Sequence, residues 1–185
     1  MTTLLIEPSP ALAGQQPPRV IGLDLSLTAT GLCMPDGTTI TIKTQPKDGD
    51  RRLVAIAETI RRAAAEGADL AVIEDLPTHA MSAGITGMVH GVARAALIGH
   101  SIPYALLSPA TLKAFATGKG AGDKTPMAMA AYKRAGVEFP DDNQCDAYWL
   151  RAAGLDWLGA PLFDLPQSQR DRLAKAKWPQ MAVAS

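Results

Sequence analysis

Two apolar runs, each closed by an acid, constrain this chain more than any other feature: Val20-Ile21-Gly22-Leu23-Asp24, and Leu70-Ala71-Val72-Ile73 followed by Glu74-Asp75. A short apolar run without polar alternation fits a strand buried on both faces, as in a sheet covered by helices. A carboxylate at the end of such a strand is costly if it is buried without a partner, so an acid placed there usually has a metal or a cation beside it. Strand ends are also where open α/β sheets bind their ligands. After Asp24 come Ser26, Thr28, Thr30 and Gly31, small polar residues that mark a turn.

The 185 residues suit one domain, and 47% hydrophobic against 19% charged residues fits a chain that buries a full core. No apolar run approaches the roughly 20 residues of a membrane span, and Met1 to Pro18 lacks a basic start followed by an apolar stretch and a cleavage site. The expected location is the cytoplasm. Cys33 and Cys145 are far apart and lack metal-type spacing, which suits reduced thiols. Formal net charge is zero, from 18 basic and 18 acidic residues, yet the basic ones cluster: Arg51-Arg52, Arg61-Arg62, Lys113 with Lys119 and Lys124, Lys133-Arg134, and Arg170 to Lys177. If the acids at strand ends bind divalent cations, the working surface becomes net positive.

Residues 1–18, with four prolines, read as a flexible N-terminal tail, and the domain is expected over 19–160. Val20 to Leu25, Gly31 to Met34 and Thr38 to Thr44 form an expected antiparallel meander, turned at Pro35-Asp36-Gly37. Leu53, Ile56, Ala57, Ile60 and Ala64 recur at helical spacing, predicting an amphipathic helix over 52–65 that Gly67 stops. Asp69 to Asp75 is a strand, Ser82 to His100 an Ala- and Gly-rich helix, and Ile102 to Leu107 a strand. Ser108-Pro109 begins a helix with an N-cap serine and a proline at the first position. A glycine loop over 117–123, a helix from Thr125-Pro126 to Ala135, and a last helix capped by Asp141 or Asp142 complete the domain. Residues 161–185 read as a basic C-terminal tail, either a short helix or disordered. The order β-β-β-α-β-α-β-α-α-α gives an α/β fold: a mixed five-stranded sheet with an antiparallel meander and flanking helices.

Such a sheet brings Asp24 beside Glu74 if their strands are adjacent and parallel, and Asp146 sits inside the last helix, where a cap cannot explain it. Asp142 and Asn143, four and three residues earlier, share roughly its face. Clustered carboxylates suit hard cations, Mg²⁺ or Mn²⁺, and two such ions about 3.5 to 4 Å apart can activate water and stabilise the leaving oxygen in phosphodiester hydrolysis. His79, His90 and His100 have no metal spacing and are read as surface or packing residues. Met81, Met88, Met127 and Met129 read as core or dimer contacts, and Trp149 and Trp157 as packing on the sheet.

Over roughly residues 19–155 the chain resembles the RuvC family of Holliday-junction resolvases, of the RNase H-like superfamily, and its shorter, divergent phage members above all. The pieces run in family order: Gly22-Leu23-Asp24-Leu25-Ser26 with Thr30-Gly31; Val72-Ile73-Glu74; Gly87 and Gly91-Val92; Ser108-Pro109-Ala110-Thr111-Leu112-Lys113; Thr117-Gly118-Lys119-Gly120 with Asp123-Lys124; and Asn143-Gln144-Cys145-Asp146-Ala147. The resemblance implies Asp24, Glu74 and Asp146 as catalytic metal-binding acids, with Asp142 or Asn143 assisting. It implies Lys113 and Lys124 as catalytic basic residues beside the scissile phosphate, and Lys113, Lys119, Lys124, Gly118 and Gly120 as DNA contacts. It also implies a Mg²⁺-dependent crossover-junction endodeoxyribonuclease (Mn²⁺ as substitute), acting as a homodimer on four-way junctions in recombination, repair or replication. Two departures stand out. Asn143 replaces the family's fourth acid, and His90 replaces an arginine of the glycine-flanked helix.

Two other functions compete. A junction-binding protein with weak or no cleavage is motivated by Asn143 and the zero net charge. A nucleotide-binding relative of actin and sugar kinases is motivated by the first acidic strand, although the chain is short for their two domains and lacks a second glycine-rich loop.

Overall fold

The computed structural model describes residues 16–76, 83–120 and 125–181. Five strands form one sheet in the order β3-β2-β1-β4-β5: β1 Val20–Asp24, β2 Ala29–Cys33, β3 Thr39–Lys43, β4 Leu70–Glu74 and β5 Tyr104–Leu107. The first three are antiparallel neighbours, and β4 and β5 add in parallel on the other side of β1. The expected mixed sheet with its meander is thus the observed one. Helices α1 Arg51–Ala65 and α2 Ala83–Gly99 lie on one face. On the other face lie α3 Pro109–Thr117, α4 Thr125–Ala135 and α5 Asp142–Trp157.

The two apolar runs are buried on both faces, as their lack of alternation requires. Ile21, Leu23, Ala71 and Ile73 pack with Ile56, Ile60, Val89 and Leu97 of α1 and α2. Val20, Leu70 and Val72 pack with Trp149, Leu150 and Ala153 of α5. Strand periodicity of two then settles where the acids point. Asp24 shares the face of Val20 and Gly22, and Glu74 that of Leu70 and Val72, so both turn toward α5. Register completes the pairing, because Leu23 lies opposite Ile73 in the parallel β1–β4 ladder and Asp24 and Glu74 are the next residues along.

Helix α5 lies unusually close to the sheet. A Cβ added at Gly22 would stand 2.0 Å from the Ala147 carbonyl oxygen, and one at Gly31 would stand 2.0 Å from that of Asn143. Both contacts are with helix backbone, so these glycines admit α5 where no larger residue fits. Helix starts follow their caps: the Ser108 hydroxyl accepts from Thr111 N, and the Asp141 carboxylate accepts from Gln144 N, so Asp141, not Asp142, is the cap of α5. Each such cap contributes ~1 kcal/mol.

Residues 161–178 pack against the domain and do not trail away from it. Leu165 and Leu173 are buried with Phe115 and Ala116 of α3, and Gln169 Nε2 donates to Phe115 O at 3.0 Å. A short helix, α6 Gln167–Arg170, and a 3₁₀ turn at Asp171–Lys175 carry this segment. Trp178 stacks on Trp157 with ring centroids 4.6 Å apart, and Lys177 bridges to Leu106 of β5. Their shared apolar surface is the reason: Trp178 covers Trp157, and Leu165 and Leu173 join the cluster that holds Phe115 and Leu112. Among the described residues no helix is long and apolar enough to cross a membrane.

Candidate metal centre

Asp24, Glu74 and Asp146 each offer a carboxylate oxygen, and the three oxygens lie within 4.8 Å of one another. Strand parity brings the first two together, and the close seat of α5 brings the third. All three side chains are partly buried. Burial, followed by the charge of Asp24, a hydrogen bond with Asp24 and the charge of Asp146, pushes the Glu74 carboxyl up from 4.5 to about 9, with Lys113 opposing. Without a cation, the Asp24–Glu74 pair therefore holds a proton between them at neutral pH. Three acids in this state form a set of hard oxygen donors whose mutual repulsion a divalent cation would relieve, so the residues fit such an ion.

The turn after β1 is internally tied. Thr30 is fully buried; its hydroxyl donates to Ser26 O at 2.5 Å and accepts from Ser26 N at 3.1 Å. This loop fixes where Asp24 leaves the strand.

Asn143, expected to assist at the metal site, faces the acidic cluster from the first turn of α5. One end of its side-chain amide lies 3.3 Å from Asp24 Oδ2 and 3.1 Å from Ala29 O, two acceptors, so hydrogen bonding assigns the nitrogen to that end. In that orientation, with no metal in place, the amide ties α5 to the start of β2 and to Asp24. Asp142 is exposed on the first turn of α5 and stands outside the three-acid cluster. Lys113, in the middle of α3, is close enough to lower the Glu74 pKa. Lys119 and Gly120 are exposed just past α3, and Gly118 ends that helix in a left-handed conformation, φ 82°, with its N–H on Ala114 O. Lys124, His79 and Met81 lie outside the described residues.

His90 is only 3% exposed and its Nδ1 lies 3.3 Å from Arg94 NH2, whose guanidinium stands over the Tyr104 ring at 5.7 Å. Burial, and then the Arg94 charge, lower its pKa, with Asp75 opposing. His90, read from the sequence as a surface or packing residue, is thus a packed imidazole. Met127 is buried, whereas Met88 and Met129 are exposed, and Trp149 is fully buried.

No protein-family model matches the chain, and no curated protein matches it. Solved structures do. The structure of Thermus thermophilus RuvC aligns with a TM-score of 0.64 over 76% of this chain and 96% of that one, at 18% identity. A second, T. thermophilus RuvC in complex with Holliday junction substrate, gives a TM-score of 0.63 over the same shares at 16% identity. A five-stranded mixed sheet flanked by helices, with three carboxylates gathered between β1, β4 and α5, thus stands on a RuvC-like fold of the RNase H-like type.

Proposed function

We propose that this protein is a divalent-metal-dependent endonuclease that cuts branched DNA, four-way junctions foremost. The observation that carries the reading is the meeting of Asp24, Glu74 and Asp146 within 4.8 Å at the ends of two parallel strands, with Lys113 beside them. The fold shared with a RuvC solved on a Holliday junction supports the substrate class. Asp24, Glu74 and Asp146 would hold the cation, Mg²⁺ or Mn²⁺. When bound, it lowers the pKa of water and stabilises charge on phosphate oxygens.

The protein's own groups have separable tasks. To hold the cation Glu74 would have to be ionised, which would couple metal affinity to pH. Asn143 holds one oxygen of Asp24 by a donated hydrogen bond and so orients the carboxylate. Lys113 offsets negative charge gathered at the phosphate, and Lys124 is assigned the same task from its place in the sequence. Lys119, Gly118 and Gly120, exposed at the end of α3, are assigned to contact the DNA backbone.

Two symmetric nicks need two sites, and a homodimer supplies them. Helix α2 offers a face for it: Ile85, Met88 and Ile98 are 52%, 45% and 64% exposed, and the helix carries no acid. A solution mass of one chain at working concentration would remove this element.

The deciding experiment incubates purified protein and Mg²⁺ with a labelled four-way junction beside matched duplex, flap and RNA/DNA hybrid. Paired nicks on the junction, lost in Asp24→Asn while junction binding remains, are the expected result. Tight binding with no product under Mg²⁺ or Mn²⁺ would favour a junction-binding protein instead, and preference for the hybrid would redirect the reading to an RNase H activity.

A further inference from the structure

From the docked C-terminal segment we infer a second DNA-contacting surface, which extends the proposed nuclease's grip on one arm of its substrate; this rests on the DNA-cutting reading above. From Arg172 to Met181 the chain has three cations, Arg172, Lys175 and Lys177, and no acid. All three are exposed. The segment bearing them is held at several points: Leu173 in the core, Gln169 Nε2 on Phe115 O, and Trp178 both stacked on Trp157 and donating from Nε1 to Leu173 O at 2.8 Å. Its conformational entropy is already spent in folding, so cations fixed on it bind with less ordering cost than cations on a free tail.

Position gives the cations their purpose. Arg172 and Lys175 line a cleft of about 180 Å³ whose other wall is Ala110, Thr111 and Ala114 of α3 with Gly120. Gly120 there belongs to the loop just past α3, and the same helix carries Lys113 beside Glu74. Between the end of α3 and α4 a larger cleft, about 480 Å³, is edged by Lys133 and Arg134. The acids nearest this segment are engaged elsewhere: Asp156 pairs with Arg170 at 3.0 Å, and Asp171 accepts from Gln167 Nε2 at 2.7 Å. A polyanion whose charges repeat along a line is the partner that such a strip fits, and DNA leaving the acidic centre is that polyanion.

The test measures binding of the full-length protein to a fluorescent four-way junction by anisotropy, with EDTA present, over a salt series. The paired change Arg172→Ala with Lys175→Ala should weaken binding roughly tenfold or more at low salt and reduce the slope of log affinity against log salt by about 2, one per lost phosphate contact. Arg61→Ala with Arg62→Ala removes the same charge from the exposed surface of α1 and should leave the slope unchanged. An unchanged slope in the first pair, with circular dichroism showing an intact fold, would overturn the inference, and so would an equal loss in both pairs. A wild-type chain that binds no junction would overturn the nuclease reading along with it.

Discussion

Replacing Glu74 by Gln should make the metal-free protein more stable while ending its use of metal. Glu74 titrates at about 9 in the folded chain against 4.5 for a free carboxyl, chiefly because it is buried and faces Asp24. Since the folded pKa is raised, its contribution is fully present below pH 4.5 and is lost as pH climbs toward 9. At pH 7 the unfolded chain has already released this proton and the folded chain has not. About two and a half pH units, at ~1.4 kcal/mol each, amount to about 3 kcal/mol of lost stability. For a domain of this size that is roughly 6–12 °C in Tm. Gln has the shape of the protonated acid and donates to Asp24 as that acid does, but it does not ionise. Thermal unfolding in EDTA at pH 5, 7 and 8.5 should therefore show the wild type weakening with pH, and Glu74→Gln staying nearly flat and melting higher at pH 7. Added Mn²⁺ at pH 8 should raise the wild-type Tm far more than the variant's. A wild-type Tm independent of pH in EDTA, or a Gln variant that weakens in parallel, would refute the argument.

Two further substitutions probe how the site is built. Gly22→Ala drives a Cβ into the Ala147 carbonyl oxygen and the Arg151 amide, so urea unfolding should show a loss of about 3 kcal/mol or more, whereas Gly87→Ala, with nothing within 4 Å, should be neutral or stabilising by ~0.5 kcal/mol. Asn143→Asp replaces two donated hydrogen bonds by a fourth carboxylate facing Asp24, so in EDTA at pH 7 the variant should melt lower by the equivalent of about 1–3 kcal/mol and recover more than the wild type does on adding Mn²⁺. Equal recovery in the two proteins, followed by scanning calorimetry, would show that residue 143 does not face the acids.

Much of this was legible from the chain because strands have so short a period. Once Val20–Asp24 and Leu70–Glu74 are strands, parity alone turns their acids to one face, and an acid inside a later helix is the natural third member. Other features are written in ways that spacing does not resolve. Three residues of helix separate Asn143 from Asp146 and give them a common face, but spacing does not say which end of an amide points inward; the carbonyl of Ala29, far away in sequence, decides that. Helix α2 is so rich in small and apolar residues that its inward side has little contrast with its outward side, which is why the sequence leaves His90 as a surface or a packing residue; its burial makes it a packing one. The C-terminal segment is held by Leu165, Leu173 and Trp178, spaced without helical or strand period among polar residues, so its composition reads as a tail although its contacts make it part of the domain.

The seat of α5 shows how closely fold and site depend on each other. A helix turns about 100° per residue, so moving its carboxylate by one position would point it away from Asp24 and Glu74. Ala147, the next residue, is fully buried and brings its carbonyl against Gly22, while Asn143, one turn earlier, brings its carbonyl against Gly31. Those two backbone contacts fix the rotation and the height of α5 over β1 and β2, and Asp146 lies between them in sequence. The two glycines therefore act as geometric parts of the acidic centre although neither can bind a metal. That dependence also explains why Glu74 is so strongly perturbed: a looser helix would admit water between the three acids and relax the repulsion, and with it the demand for a cation that the proposed chemistry uses.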